Sequence, residues 1–102
     1  MNEITPAELA ARGDVTIIDV RETDEYTLGH VPGAKLIPLG ELAGRTAEVP
    51  TTVPVYVVCH SGGRSARATD FLAASGIDAI NVTGGTAAWQ QAGLPTNTGL
   101  TA

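Results

Sequence analysis

The chain holds one cysteine, and it stands in Val57-Val58-Cys59-His60-Ser61-Gly62-Gly63-Arg64-Ser65, where an apolar run breaks into a glycine-rich loop. A thiol that only fills a core needs no such loop. A thiol that must ionise and meet an anion does, because Gly62 and Gly63 can turn tightly and present unobstructed backbone N–H groups. A helix starting near Arg64 and Ser65 adds the partial positive charge of its first turn. Cysteines so placed ionise below the free value of about 8.5, at roughly 3.5–7.5. Cys59 is therefore the expected nucleophile. His60, Ser61, Gly62, Gly63, Arg64 and Ser65 are the expected cradle for what it meets.

The elements that must position this loop can be read along the chain. Thr5-Pro6-Ala7-Glu8 signals a helix start, with threonine capping, proline at the first helical position and glutamate three residues after the cap. Gly13 closes that helix. Residues 15–20 read as a short β-branched strand, and 23–28 as a helix closed by Gly29. A weaker strand spans 34–37, and a helical turn 41–45. Val55 to Val58 lacks alternation, as a strand buried on both faces does. A helix over 65–75 follows, with Ala68, Phe71, Leu72 and Ser75 on one face and Gly76 at its end. Residues 78–82 form another strand and 86–92 a last helix, before Gly93 and Pro95. Strands alternating with helices predict a small open, mainly parallel α/β sheet with helices on both faces. Gly84-Gly85 reads as a strand-to-helix turn, His30 as a hydrogen-bonding residue at a helix end, and Trp89 as core.

The 102 residues, 43% hydrophobic and 17% charged, suit one domain over 1–102, with its core in 3–95 and a flexible tail at 96–102. A single cysteine forms no internal disulfide and fits a reducing compartment. A net charge of −5 argues against a nucleic-acid partner. The charge is uneven: residues 1–50 carry nine acids against four bases, and 51–102 two against two. Between Cys59 and Arg67 stand two arginines, a histidine and no acid, so an electropositive patch is expected beside the thiol. No apolar run has bilayer-spanning length, and residues 1–14 resemble no secretory signal, so the expectation is a cytoplasmic protein without a membrane partner. Two distant histidines without partner cysteines argue against a metal site.

Three stretches also match a known family in order. Cys59 to Ser65 resembles the active-site loop C-x-x-G-x-R-[ST] of rhodanese-like sulfurtransferases. Asp19 to Ala34, reading DVRETDEYTLGHVPGA, resembles the family's D-V-R-x-x-x-E-[FY]-x-x-G-H-[IV]-x-G-A. Val82 to Trp89, reading VTGGTAAW, resembles its V-x-G-G-x-x-A-W. The resemblance runs from Thr5 to Pro95. It implies a rhodanese-like fold and a sulfurtransferase that moves a sulfane sulfur from a donor such as thiosulfate to cyanide or a thiol. Cys59 would carry the sulfur as a persulfide, the loop from His60 to Ser65 would surround it, and Arg64 would orient the anion. The implied partners are a small anionic sulfur donor and a thiophilic acceptor, with a sulfur-accepting protein as an extension; no cofactor is implied. Asp19, Arg21, Glu25 and His30 fall on scaffolding positions, Arg21 being a minor candidate for the rim. Thiosulfate-specialised members often carry basic side chains just after the cysteine, where this chain has His60 and Ser61.

Two other readings stand beside this one. Phosphatases and arsenate reductases of the same general fold use Cys-x5-Arg to hold a tetrahedral oxyanion, whereas Cys59 to Arg64 is Cys-x4-Arg. A sulfur-relay or redox-sensing module, acting on a partner protein, needs only the reactive thiol.

Overall fold

The computed structural model describes residues 1–102. Five strands form one all-parallel sheet: β1 (Asn2–Ile4), β2 (Thr16–Asp19), β3 (Lys35–Leu36), β4 (Val55–Val58) and β5 (Ala79–Val82), in the order β1-β5-β4-β2-β3. The connecting helices are α1 (Pro6–Ala11), α2 (Thr23–Leu28), α3 (Leu39–Leu42), α4 (Gly63–Ala74) and α5 (Gly85–Gln91), with a 3-10 turn at Thr46–Glu48. The expected capping box is present: Glu8 N donates to Thr5 Oγ1 at 3.2 Å, and Thr5 N donates to Glu8 Oε1 at 3.0 Å.

Strand periodicity divides the core into two layers. Along β4, Val55 and Val57 face one side with Ile18, Leu42, Ala68 and Leu72. Tyr56 and Val58 face the other, with Leu9, Tyr26, Val31 and Trp89. All four β4 residues are buried, which accounts for the missing alternation. Cys59 lies two residues beyond Val57 and joins the first layer, beneath α4.

Four details differ from expectation. β1 was unforeseen: a short, largely exposed segment that becomes a strand by pairing Asn2, Glu3 and Ile4 with Ile80, Asn81 and Val82. α3 overlaps the turn expected at 41–45 but starts two residues earlier, because the chain enters it directly from Pro38. α4 begins at Gly63, and its buried residues are Ser65, Ala68, Thr69 and Leu72. Phe71 is 41% exposed and Ser75 is exposed as well, so the buried face is rotated from the apolar one read in the sequence. Residues 96–102, expected as a flexible tail, run beside α2: Asn97 exchanges two backbone hydrogen bonds with His30, and Gly99 N donates to Thr27 O. His30 itself is fully buried, its ring stacked on Tyr26 and its nitrogens 2.9 Å from Tyr26 O and 2.7 Å from Thr101 O.

At the carboxyl end of β2, Asp19 and Arg21 form a buried ion pair. Arg21 Nη2 lies 2.8 Å from Asp19 Oδ2 and also donates to Gly29 O at 2.9 Å, so the pair ties β2 to the end of α2. Removing one partner of such a pair strands a buried charge and costs about 3–5 kcal/mol, whereas replacing both with apolar residues is often nearly neutral. Asp19→Leu is therefore expected to lower stability by about 3–5 kcal/mol, and Asp19→Leu with Arg21→Leu to recover more than half of that. Urea unfolding of both variants checks it; a double variant no better than the single one would refute the account.

Candidate active site

Sheet order reverses between β2 and β4: after β2 the chain moves outward to β3, and after β4 it moves the other way to β5. Ligands of open α/β sheets bind beyond the carboxyl ends of the strands at such a point. Cys59 stands there, immediately after β4, with 1% of its surface exposed. Gly62 N donates to Cys59 Sγ at 3.0 Å, and Ser65 Oγ lies 3.3 Å from the sulfur. Gly62 takes a left-handed conformation (φ 112°), which turns its amide inward and starts α4. Burial by itself pushes the thiol up. The Ser65 hydroxyl and the amides of Ser65, Gly62 and Ser61 together outweigh it, so the thiol ionises below its ordinary value.

The loop is also held from outside. Thr86 N and Oγ1 donate to Cys59 O at 2.8 and 3.0 Å, and Ala87 N donates to His60 O at 2.9 Å. These amides belong to the first turn of α5, which has no carbonyl partners of its own within the helix. The Gly84-Gly85 turn thus does more than connect β5 to α5. A Cβ on Gly85 (φ 60°) would lie 2.5 Å from Cys59 O and 2.6 Å from His60 O.

Arg64 departs from its expected surroundings. Its Nη1 and Nη2 donate to Glu25 Oε1 and Oε2 at 2.7 and 2.8 Å, a two-pronged pair across the site. The hydrogen bonds from Arg64 hold Glu25 at about 2, against an ordinary value near 4.5. Because the carboxyl is depressed, the pair's stabilisation is complete above about 4.5 and is lost as pH falls towards 2. The expected electropositive patch is corrected accordingly. Of its two arginines, Arg64 is paired with Glu25, while Arg67 is exposed and makes no ion pair; Arg21, at the cleft, is paired with Asp19. Glu25, assigned to scaffolding, bonds directly to the loop arginine.

The other loop residues are placed as follows. His60 is exposed and, with Arg21, Glu25, Leu28, Gly29 and Gln90, lines a shallow cleft of about 360 Å³ beside the thiol. Ser61 and Gly63 are exposed, while Ser65 is buried against the sulfur. A larger depression of about 430 Å³ lies among Asp14, Val15, Thr16, Val53, Pro54 and Tyr56, at the amino ends of β2 and β4. Cys59 lines neither depression, but the smaller one adjoins it through His60 and holds Glu25, the partner of Arg64. No three His, Cys, Asp or Glu side chains converge as a metal ion would need. Thr86 and Asn81 contribute to the site and were not singled out in the sequence. Thr86 had a signal in its place after two glycines, and Asn81 in being a polar residue within an apolar strand.

Fold and site together define an open α/β domain built around one activated thiol. The chain belongs to the rhodanese-like domain family, whose model matches residues 5–92. A sulfurtransferase of Allochromatium vinosum is 34% identical over 100 residues, covering 93% of this chain and 94% of that protein. The Bacillus subtilis protein named "Putative sulfur carrier protein YrkF" is 41% identical over 76 residues, covering 74% of this chain and 41% of its own length. The chain spans about half the length of several curated relatives, from 41% to 59%. Among solved structures, a rhodanese-related protein of Thermoplasma volcanium superposes with a TM-score of 0.90 at 31% identity, covering 94% of this chain and 97% of that one.

The role of Gly85 yields a paired prediction. Gly76→Ala meets open space at φ 84°, so its cost is that of the left-handed conformation alone, about 1–2 kcal/mol. Gly85→Ala adds a backbone collision and is expected to cost clearly more and to disturb the sulfur site. Thermal unfolding gives the stability difference, and the alkylation rate of Cys59 reports the loop. Equal effects of the two substitutions on both measurements would refute the packing role.

Proposed function

We propose that the protein is a sulfurtransferase that carries a sulfane sulfur on Cys59. The observation that carries this reading is the buried Cys59 sulfur, which receives the Gly62 amide at 3.0 Å in a loop too short for the Cys-x5-Arg cradle of a phosphatase. Relatives named as sulfurtransferases support it. The Cys59 thiolate attacks the outer sulfur of a donor. With thiosulfate, the S–S bond breaks, sulfite departs with its electron pair, and Cys59 is left as a persulfide. A nucleophile such as cyanide or a thiolate then attacks the outer persulfide sulfur, and the thiolate of Cys59 is released. The amides of Ser61, Gly62 and Ser65 stabilise the negative sulfur in each state, and no added cofactor enters either step.

The Glu25–Arg64 pair bears on the donor. An anionic donor finds the Arg64 guanidinium already engaged, and Arg21, which lines the cleft with His60, is paired with Asp19. This favours a persulfide presented on a thiol, free or on a protein, over free thiosulfate. It supports the relay reading as a mode of the same chemistry, as does the Bacillus relative named as a sulfur carrier.

Mass spectrometry after exposure to thiosulfate or a low-molecular-weight persulfide is expected to find one added sulfur, removed by cyanide. Cys59→Ser is expected to abolish the adduct and thiocyanate formation, since its hydroxyl stays protonated at neutral pH. An adduct or turnover in the serine variant would end this reading. A second expectation concerns Glu25→Gln, which frees the arginine. With Glu25 about a third exposed, the gain is on the order of 1 kcal/mol, or roughly fivefold in kcat/KM for thiosulfate. An uncharged donor is expected to gain less. Equal changes with both donors would remove Arg64 from donor selection.

A further inference from the structure

The Ser65 hydroxyl has three hydrogen-bonding neighbours and one proton. Its Oγ lies 2.6 Å from Asn81 Oδ1, 3.2 Å from Gly62 O and 3.3 Å from Cys59 Sγ. A hydroxyl donates once and accepts twice. When its proton is on Asn81, the shortest contact, Ser65 offers the sulfur only a lone pair. That suits a thiol, whose S–H can donate to Ser65 Oγ. It does not suit a thiolate, which can only accept. Asn81 is 3% exposed, sits on β5 opposite Val57 of β4, and makes its one side-chain hydrogen bond to Ser65. Its amide carries an acceptor at one end and a donor at the other, in nearly the same shape. A half-turn about Cβ–Cγ therefore brings Nδ2 to the position of Oδ1 without repacking.

We propose that Asn81 is a positioning residue whose amide sets the direction of the Ser65 hydroxyl, accepting its proton while Cys59 is a thiol and donating to its oxygen when Cys59 is a thiolate. In the first state the chain of hydrogen bonds runs Cys59 S–H to Ser65 Oγ, then Ser65 O–H to Asn81 Oδ1. In the second it runs Asn81 N–H to Ser65 Oγ, then Ser65 O–H to Cys59 Sγ. The thiol proton leaves to solvent or base, and no other proton changes owner. The residue is thus asparagine for its two ends: an aspartate would keep only the acceptor, and a leucine neither. The charged groups around the sulfur do not supply this function. Arg64 is paired with Glu25, and Asp19 with Arg21. The inference rests on the reading of Cys59 as the reacting thiolate, and its test needs no sulfur donor.

The apparent pKa of Cys59 is measured by thiolate absorbance and by iodoacetamide rate against pH, in a double-mutant cycle of Asn81→Leu and Ser65→Ala. With Ser65 present, Asn81→Leu is expected to raise the value by about 0.5–1 unit, because the Asn81–Ser65 bond, made in both states, is stronger in the chain that ends on the charged sulfur. In the Ser65→Ala background it is expected to leave the value unmoved. A fall in Asn81→Leu would mean that Asn81 only draws the Ser65 proton away from the sulfur, and an equal shift in both backgrounds would mean that it acts by packing; either result overturns the proposal. Should the leucine variant fail to fold, the same cycle with the isosteric Asn81→Asp decides. Its rise is expected to be larger with Ser65 than without it, and equal rises overturn the proposal as through-space charge. Loss of persulfide formation in the unaltered protein, with this cycle intact, would defeat the sulfur-transfer reading and leave the Asn81–Ser65 hydrogen-bond switch standing.

Discussion

The carbonyl oxygens of Cys59 and His60 are both taken by the first turn of α5. Thr86 N, Thr86 Oγ1 and Ala87 N supply three donors to these two carbonyls. A peptide plane whose oxygen is held outward leaves neighbouring amides free to turn inward, and the left-handed Gly62 completes that turn towards the sulfur. The contact also meets the needs of both sides. The α5 amides have no partners within the helix, and the loop carbonyls would otherwise be buried unpaired. Only a residue without Cβ permits the approach, hence Gly85.

Two ion pairs flank this loop. The net charge of −5 is spread over the remaining surface, while Arg64 of the loop and Arg21 at the cleft each meet a carboxylate. The Asp19–Arg21 pair is buried and fixes the relation of β2 to the end of α2. The Glu25–Arg64 pair is half-exposed and joins α2 to α4 across the cleft. Stabilisation of a negative sulfur therefore falls mainly to neutral dipoles, the amides of Ser61, Gly62 and Ser65 and the Ser65 hydroxyl. Dipoles fixed by the fold need little reorganisation as charge appears, which suits chemistry at a buried sulfur.

Much of the architecture was legible in the residues. The Thr5 capping box, the uninterrupted apolar β4, the breaks at Gly13, Gly29 and Gly76, and the thiol at a strand end all act locally, through propensity, capping and periodicity. The loop from Cys59 to Ser65 could be read as a sulfur cradle for the same reason, since its amides, its glycines and its helix start lie within seven consecutive residues. β1 was not legible. Asn2 and Glu3 are exposed and carry no strand pattern; they are held by pairing with β5, some eighty residues away. The phase of α4 was also hidden. Phe71 looks like core by type, yet Ser65 and Thr69 take the inner face, their hydroxyls satisfied by Asn81 Oδ1 and Ser65 O.

The sequence by itself determined the candidate thiol and what surrounds it locally, a lone cysteine with glycine amides before a helix, because those properties are carried by neighbouring residues. It also determined the alternation of strands and helices. Tertiary structure alone decided what Arg64 faces, since its partner Glu25 is 39 positions away and neither residue type nor spacing names it. The same holds for Asn81, brought to Ser65 by the packing of α4 on β5, and for Thr86, brought to Cys59 by the return of α5. The thiol and its loop are local properties of the chain; the ion pair and outer hydrogen bonds around them arise from segments that meet only in the fold.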